Sequence, residues 1–232
     1  MLSGAGVHRP FRIVSFSAEP LDIPLLEPFG ISGGAQAAAN NVLVGLELDD
    51  GSRGWGEAAP LPPYNGETQG QALAALKGAR SWLDGWSGSD WRLLAREFRS
   101  RGGGACGSAQ CAFETALVDA LARRAGMPLW GFLAHGDAAE RAARPDALET
   151  DMTVTTGTVA QAAASTRAIR DRGIRLIKVK VGGKGGAAHD LARLAAIQEA
   201  APGAPLIIDG NAGVSRDEAR ELVQGLRKLG VT

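Results

Sequence analysis

The second half of the chain alternates short apolar runs with longer amphipathic ones, and this alternation limits the fold more than any other feature. Each apolar run has the length of a strand, and each run that follows it has helical periodicity. Strand–helix alternation at this spacing predicts a parallel sheet, either a barrel or a doubly wound sheet. We predict strands at residues 152–155, 175–181 and 206–209, and helices at residues 159–172, 189–200 and 217–229.

The first half has strands followed by helices, which is typical of an α+β domain. Asp50-Gly51 between two strand-like runs indicates a hairpin. The segment 108–125 has apolar residues at i, i+3 and i+4, as in an amphipathic helix. Prolines and glycines predict a loop at residues 21–34. We predict strands at residues 11–18, 42–48 and 53–58, and further helices at residues 67–86 and 90–98.

Composition argues against several classes of partner. The chain has 232 residues, with 25 basic and 25 acidic side chains, so its charge does not point to nucleic acid or to an anionic membrane surface. It has no signal-peptide pattern at its start and no apolar run of about 18 residues, so we expect no membrane span. Two cysteines, Cys106 and Cys111, are too few for a secreted disulfide scaffold, and we expect a cytoplasmic location.

The predicted strand LIKVKV at residues 176–181 carries two lysines on one face. Side chains alternate along a strand, so Lys178 and Lys180 point one way and the apolar residues between them point the other way. In a barrel, the apolar set would pack against helices and the ammonium groups would enter the barrel mouth, where charge is costly unless it is used. An edge strand with two solvated lysines explains the same spacing.

The next predicted strand ends in an acidic residue, which favours the barrel. Asp209 follows the apolar residues 206–208, and we predict that Asn211 shares its face. Barrel enzymes place metals and acids at this edge, although a turn or capping Asp is the simpler alternative. A hard divalent cation and one lysine would stabilise charge on a substrate carboxylate, while a second lysine removes the adjacent α-proton to give an enediolate. Three residues of the first barrel strand are predicted to line one face: Asp151, Thr153 and Thr155.

These residues resemble the muconate-lactonizing subgroup of the enolase superfamily. The Lys-x-Lys strand and the Asp-x-Asn strand match that subgroup's pattern. Two stretches look like dipeptide epimerases within the subgroup, namely LETDMTV at residues 148–154 and NGET at residues 65–68. Three more are similar to the subgroup's capping domain: PF at residues 28–29, NVLV at residues 41–44 and GWGEA at residues 54–58.

The resemblance implies an α+β capping domain at residues 1–132, followed at residues 133–232 by the first part of a (β/α) TIM-like barrel that is incomplete at its C-terminus. It implies Mg²⁺ as the cofactor and a small molecule, either a dipeptide or another carboxylate, as the substrate. No nucleic acid or membrane partner is expected. The full-length protein is expected to be a homo-oligomer.

The resemblance also implies a role for each candidate residue. Lys180 is expected to accept and return a proton on one face of the α-carbon, and Lys178 to contact the substrate carboxylate. Asp209 is expected to be a Mg²⁺ ligand, with Asn211 supporting the site from just beyond it. Thr153 is expected to contact the bound dipeptide. Phe29 and Ile31 are expected to lie in the cap loop that closes over the substrate.

The sequence departs from the family pattern in two ways. The remaining acidic metal ligands and the lysine on the opposite face are expected beyond Thr232, so we expect an incomplete chain that is not an active epimerase alone. The loop at residues 25–35 lacks the arginine that epimerases specific for Ala-Glu often carry.

Two alternative functions stay open. One is another reaction of the superfamily: o-succinylbenzoate synthase, N-succinylamino-acid racemase or muconate cycloisomerase. The other is an inactive fragment.

Overall fold

The computed structural model describes residues 9–31, 33–134 and 147–230, apart from the side chain of Glu27. The chain divides into two compact units. The first unit comprises Met1–Pro24 and Ala38–Pro145, and the second comprises Leu25–Ala37 and Asp146–Thr232.

In the described part of the first unit, strands form a sheet in the order β3-β2-β1-β4, and helices follow. This arrangement confirms the predicted α+β class. The strands are β1 (Phe11–Ile31), β2 (Gly34–Leu48), β3 (Arg53–Ala58) and β4 (Ser87–Gly88), with the ends of β1 and β2 belonging to the second unit. The helices are α1 (Pro62–Asn65), α2 (Gln69–Leu83), α3 (Trp91–Ser100), a 3₁₀ turn (Gly103–Ala105), α4 (Gly107–Arg124) and α5 (Leu129–Leu133).

β1 continues through most of the stretch that was predicted to be a loop. The strand reaches Ile31 although it contains Pro20, Pro24 and Pro28. Proline fixes φ at a value that extended backbone also uses, and it keeps the preceding residue extended. The prolines therefore remove hydrogen-bond donors while the backbone stays extended, and the loop prediction is wrong for residues 21–31.

Two glycines let β3 pack directly against α4. Gly54 and Gly56 are buried, and they alternate along the strand with exposed residues such as Trp55. A Cβ atom at Gly54 would overlap the carbonyl oxygen of Ala116, and one at Gly56 would overlap that of Ala112. The strand backbone therefore lies against the helix backbone, an approach that any side chain would prevent.

In the described part of the second unit, three parallel strands lie in the order β5-β6-β7. They are β5 (Asp151–Val154), β6 (Leu176–Lys180) and β7 (Leu206–Asp209), and they alternate with α6 (Val159–Asp171), α7 (Gly186–Ala200) and α8 (Arg216–Lys228). Buried apolar residues of β5, β6 and all three helices form one core cluster. Parallel strands in chain order with a shared helix layer are the beginning of a barrel rather than a doubly wound sheet. No helix among the described residues is long and apolar enough to cross a membrane.

Replacing Gly56 by Ala should separate β3 from α4. We expect Gly56→Ala to lower the free energy of unfolding by about 1–3 kcal/mol, because the added carbon displaces backbone rather than a flexible side chain. Urea unfolding followed by tryptophan fluorescence measures the change.

Gly78→Ala is the matched control. Gly78 lies in α2, and an added Cβ there has no atom within 4 Å. This substitution should raise stability by about 1 kcal/mol, since alanine favours a helix over glycine. A Gly56→Ala protein as stable as the unsubstituted chain would contradict the packing argument.

Candidate active site at the carboxyl edge of the parallel sheet

Two lysines and one aspartate meet at the carboxyl ends of β6 and β7. Parallel pairing sets Lys180 opposite Asp209, and Nζ of Lys180 lies 2.7 Å from Oδ2 of Asp209. Lys178 is two residues earlier on the same strand face, and its Nζ lies 2.9 Å from the same oxygen. The exposed fraction of the side chain is 7% for Lys180, 29% for Lys178 and 26% for Asp209, so Lys180 is buried while Lys178 and Asp209 are partly open to water. The structure therefore brings together three residues that the sequence predicted to share this edge.

The contacts hold Asp209 in its charged form. Hydrogen bonds from Lys180, from Lys178 and from the backbone N–H of Asn211 lower the pKa of Asp209 far below its ordinary value of 3.8. The hydrogen bond to Asp209 raises the pKa of Lys178 above its ordinary value of 10.5, against the opposing effect of burial. The carboxylate of Asp209 and the ammonium group of Lys178 are therefore both charged at neutral pH.

Asn211 meets this cluster through its backbone. β7 ends at Asp209, and Asn211 has a left-handed φ of 43° in the turn that follows. The prediction that Asn211 shares a strand face with Asp209 is therefore wrong, because the strand stops two residues before Asn211. The backbone N–H of Asn211 instead donates a hydrogen bond to Oδ1 of Asp209 at 2.9 Å.

Thr153 lies beside the lysines on the neighbouring strand. It pairs with Lys178 in the register of β5 and β6, and it is half-buried. Residues at the same level of adjacent parallel strands project to the same face of a sheet. The side chain of Thr153 thus projects to the same sheet face as the side chain of Lys178.

The second unit also contains a cavity of about 510 Å³ beside the loops that follow β5 and β6. Ile31 is buried and lines this cavity, together with glycines and the side chains of Lys184 and His189. The ring nitrogen Nε2 of His189 lies 2.9 Å from the carbonyl oxygen of Gly157. Phe29 is half-buried and does not line the cavity, and neither do the residues of the lysine–aspartate cluster. Of the two predicted cap-loop residues, only Ile31 reaches it.

Sequence reasoning missed two buried charged residues near this edge. Asp190 and Arg193 lie on α7 with only 2% and 1% of their surface exposed, and their side chains form an ion pair of 2.8 Å. Their i, i+3 spacing was available in the sequence. That spacing is equally typical of ion pairs on solvated helix surfaces, so it did not distinguish a buried pair.

Comparisons with known families agree with this architecture. The model for the mandelate racemase/muconate lactonizing enzyme N-terminal domain matches residues 18–134, and the model for an enolase C-terminal domain-like fold matches residues 159–232. The chain belongs to the mandelate racemase/muconate lactonizing enzyme family. This result confirms the resemblance to the enolase superfamily, with a capping domain followed by part of a barrel domain.

Relatives within this family are named as dipeptide epimerases. An aromatic dipeptide epimerase of Herpetosiphon aurantiacus is 47% identical over 210 residues, which is 90% of this chain and 56% of that protein. A hydrophobic dipeptide epimerase of Citrifermentans bemidjiense is 34% identical and covers 95% of this chain and 58% of its own length. The solved dipeptide epimerase of Cytophaga hutchinsonii, in complex with Mg and D-Ala-L-Val, has a TM-score of 0.83 at 31% identity and covers 95% of this chain and 58% of its own. This chain therefore spans a little over half the length of these relatives.

Among the described residues, the lysine–aspartate cluster offers one oxygen donor of the kind that Mg²⁺ binds. Mg²⁺ prefers six oxygen ligands in octahedral geometry, some of them from water, and the carboxylate of Asp209 is one suitable donor. Within the described ranges, no group of three or more His, Cys, Asp or Glu side chains is arranged to hold a metal. The donor set of this part of the chain thus fits Mg²⁺ through Asp209 and is too small to hold the ion alone.

Replacing Asp209 by Asn should weaken the second unit in a pH-dependent way. The lowered pKa of Asp209 stabilises the fold above pH 3.8, and this contribution is lost as the pH falls below that value. The raised pKa of Lys178 contributes below pH 10.5 and is lost at higher pH. We expect Asp209→Asn to lower the free energy of unfolding at pH 7 by about 1–3 kcal/mol. The difference should shrink in acid.

Urea unfolding at a series of pH values measures this difference, and Asp217→Asn is the matched control. Asp217 forms an ion pair with Arg220 on α8, with 89% of its side chain exposed. An exposed pair contributes little, so the control should follow the unsubstituted chain at every pH. If the free energy of unfolding of Asp209→Asn falls in acid as it does for the unsubstituted chain, the cluster does not contribute to stability.

Proposed function

We propose that the protein carrying this chain is a Mg²⁺-dependent dipeptide epimerase, which inverts a residue next to a free carboxylate. The observation that carries the proposal is the contact of Lys180 and Lys178 with Asp209 at the carboxyl edge of β6 and β7. This arrangement offers a proton acceptor, a carboxylate-binding cation and an oxygen ligand within one strand pair. The names of the relatives support the same reaction class.

Lys180 is the proposed base. In its neutral form, Nζ of Lys180 accepts the α-proton of the substrate, and the electron pair of the broken C–H bond moves into the carboxylate to give an enediolate. Lys178 holds that carboxylate with its ammonium group, where negative charge develops. Magnesium, when bound, supplies further positive charge to the same carboxylate. Delivery of a proton to the opposite face, which inverts the centre, requires a second acid beyond the residues assigned here.

We propose that the substrates are dipeptides with apolar side chains. The cap-loop segment Leu25–Ala37 has no arginine or lysine, and it contributes the buried Ile31 and the half-buried Phe29. An acidic substrate side chain would find no cation in that segment. The relative at 47% identity is named for aromatic dipeptides, and another is named for hydrophobic ones.

Deuterium exchange tests the reaction and the role of Lys180 together. The 232-residue chain and the longest gene product that contains it are incubated with Mg²⁺ and a dipeptide library in D₂O. Mass spectrometry then reports deuterium at the α-carbon. We expect exchange by the longer product, and we expect Lys180→Ala to reduce it by about 100-fold or more, which is the usual contribution of a general base.

Lys77→Ala is the control for this substitution, because Lys77 lies exposed on α2 in the first unit. It should leave exchange unchanged. Exchange that survives Lys180→Ala would refute the assignment of the base. A folded, Mg²⁺-loaded protein that exchanges no dipeptide would instead favour the succinyl-substrate or cycloisomerase reactions.

A matched series of dipeptides tests the substrate class. L-Ala-L-Phe, L-Ala-L-Leu, L-Ala-L-Glu and L-Ala-L-Lys differ only in the second side chain. We expect kcat/KM for the apolar pair to exceed that for L-Ala-L-Glu by about 10-fold or more, since the segment Leu25–Ala37 offers apolar side chains and no cation to a carboxylate. A preference for L-Ala-L-Glu would contradict the proposed specificity and leave the reaction class intact.

A further inference from the structure

The Asp190–Arg193 ion pair on α7 forms hydrogen bonds with the backbone at the ends of β5 and β6. Nη1 of Arg193 donates to the carbonyl oxygen of Lys180 at 2.9 Å, and Nη2 donates to the carbonyl oxygen of Thr155 at 2.6 Å. Oδ2 of Asp190 accepts a hydrogen bond from the backbone N–H of Gly182 at 2.8 Å. One guanidinium and one carboxylate therefore hold the last residue of β6, the peptide two residues later and the residue just after β5.

The geometry requires arginine rather than a generic cation. Arg193 is 1% exposed, so its charge must be matched by Asp190 and by further acceptors. The planar fork of the guanidinium reaches two carbonyl oxygens on different strands and the Asp190 carboxylate at once, which a lysine ammonium on a flexible stem cannot reproduce. Nε of Arg193 is buried without a hydrogen-bond partner among the described residues. The two Nη groups of Arg193 therefore bond the strand ends and Asp190, and only Nε is left without an acceptor among the described residues.

We propose that Arg193, paired with Asp190, is a positioning residue for Lys180. The proposal rests on the proposed function, in which Lys180 is the base. Arg193 holds the carbonyl of Lys180, and the backbone N–H of Val181 donates to the carbonyl oxygen of Asp209 at 3.0 Å. The backbone around Lys180 is therefore fixed on the side of β5 and on the side of β7. Its ammonium group is placed within 2.7 Å of Oδ2 of Asp209 as a result.

Lys178 provides an internal comparison. It contacts the same Asp209 oxygen at 2.9 Å, but Arg193 bonds the carbonyl of Lys180 and not that of Lys178. Lys178 also lies inside the strand, where pairing with β5 and β7 fixes its position. Loss of Arg193 should therefore loosen the Lys180 contact and leave the Lys178 contact intact. A general loss of stability would affect both lysines alike.

The test measures hydrogen exchange of the two lysine ammonium groups by ¹⁵N NMR on the metal-free 232-residue chain. Low temperature and mildly acidic pH slow the exchange enough for detection, and Lys178→Arg and Lys180→Arg identify the two signals. The main variant is D190N/R193M. It removes both charges together, so no buried charge is left unpaired, and the asparagine oxygen can still accept from Gly182. We expect exchange of Lys180 to accelerate by about tenfold, as for the loss of one hydrogen bond, with Lys178 unchanged.

Thr166→Val is the matched control on the neighbouring helix α6. Thr166 is fully buried and donates to the carbonyl oxygen of Ala162 in its own helix at 2.8 Å, away from the strand ends. It should change neither lysine. If D190N/R193M does not fold, Arg193→Lys replaces it, with a smaller acceleration of Lys180 expected. Three outcomes would each overturn the proposal. They are equal effects of the main variant on Lys178 and Lys180, unchanged exchange of Lys180, and an effect of Thr166→Val as large as that of the main variant. Because no substrate or metal is present, this outcome is independent of the deuterium-exchange test.

Discussion

Two positive charges on one face of a single strand require a shared anion, and the second unit is organised around that requirement. Lys178 and Lys180 both reach Oδ2 of Asp209, which belongs to the next strand. A slip of one residue between β6 and β7 would turn Asp209 to the apolar face and leave both ammonium groups without a partner. The ion pairs therefore specify the strand register as well as the chemistry of the edge. The same register places the apolar residues of β6 against the helices.

The ends of the parallel strands are held by backbone contacts that ordinary sheet pairing does not provide. Carbonyl groups at the end of a strand have no further ladder partner, and buried carbonyls need donors. Arg193 supplies donors to two of them, and Asp190 accepts from the turn after β6. A buried ion pair contributes little net stability over an apolar replacement, so its value here lies in fixing the geometry of one edge. Rigid support of this kind is what a group that must meet a substrate atom requires.

Features that depend on local periodicity could be predicted from the sequence. The alternation in LIKVKV correctly placed Lys178 and Lys180 on one face, and the strand–helix spacing correctly indicated parallel strands. Features that depend on backbone conformation at an element's end could not be predicted. Asn211 leaves the strand because the chain turns with a positive φ, and prolines did not interrupt β1 because extended backbone accommodates them. The burial of Asp190 and Arg193 depends on distant strand ends, which no spacing within α7 reveals.

The alternation of side chains along β6 puts its apolar residues and its lysines in different surroundings. Ile177, Val179 and Val181 belong to the interior shared with the helices, whereas Lys178 and Lys180 form ion pairs with Asp209 on the opposite face. A substitution at a lysine position therefore changes the charge of the sheet edge and leaves the apolar residues that pack against the helices as they are. Because both lysines share the carboxylate of Asp209, a substitution in this cluster has to be matched on the neighbouring strand and not in the interior. The charged face and the apolar face of this five-residue strand can therefore change separately during evolution.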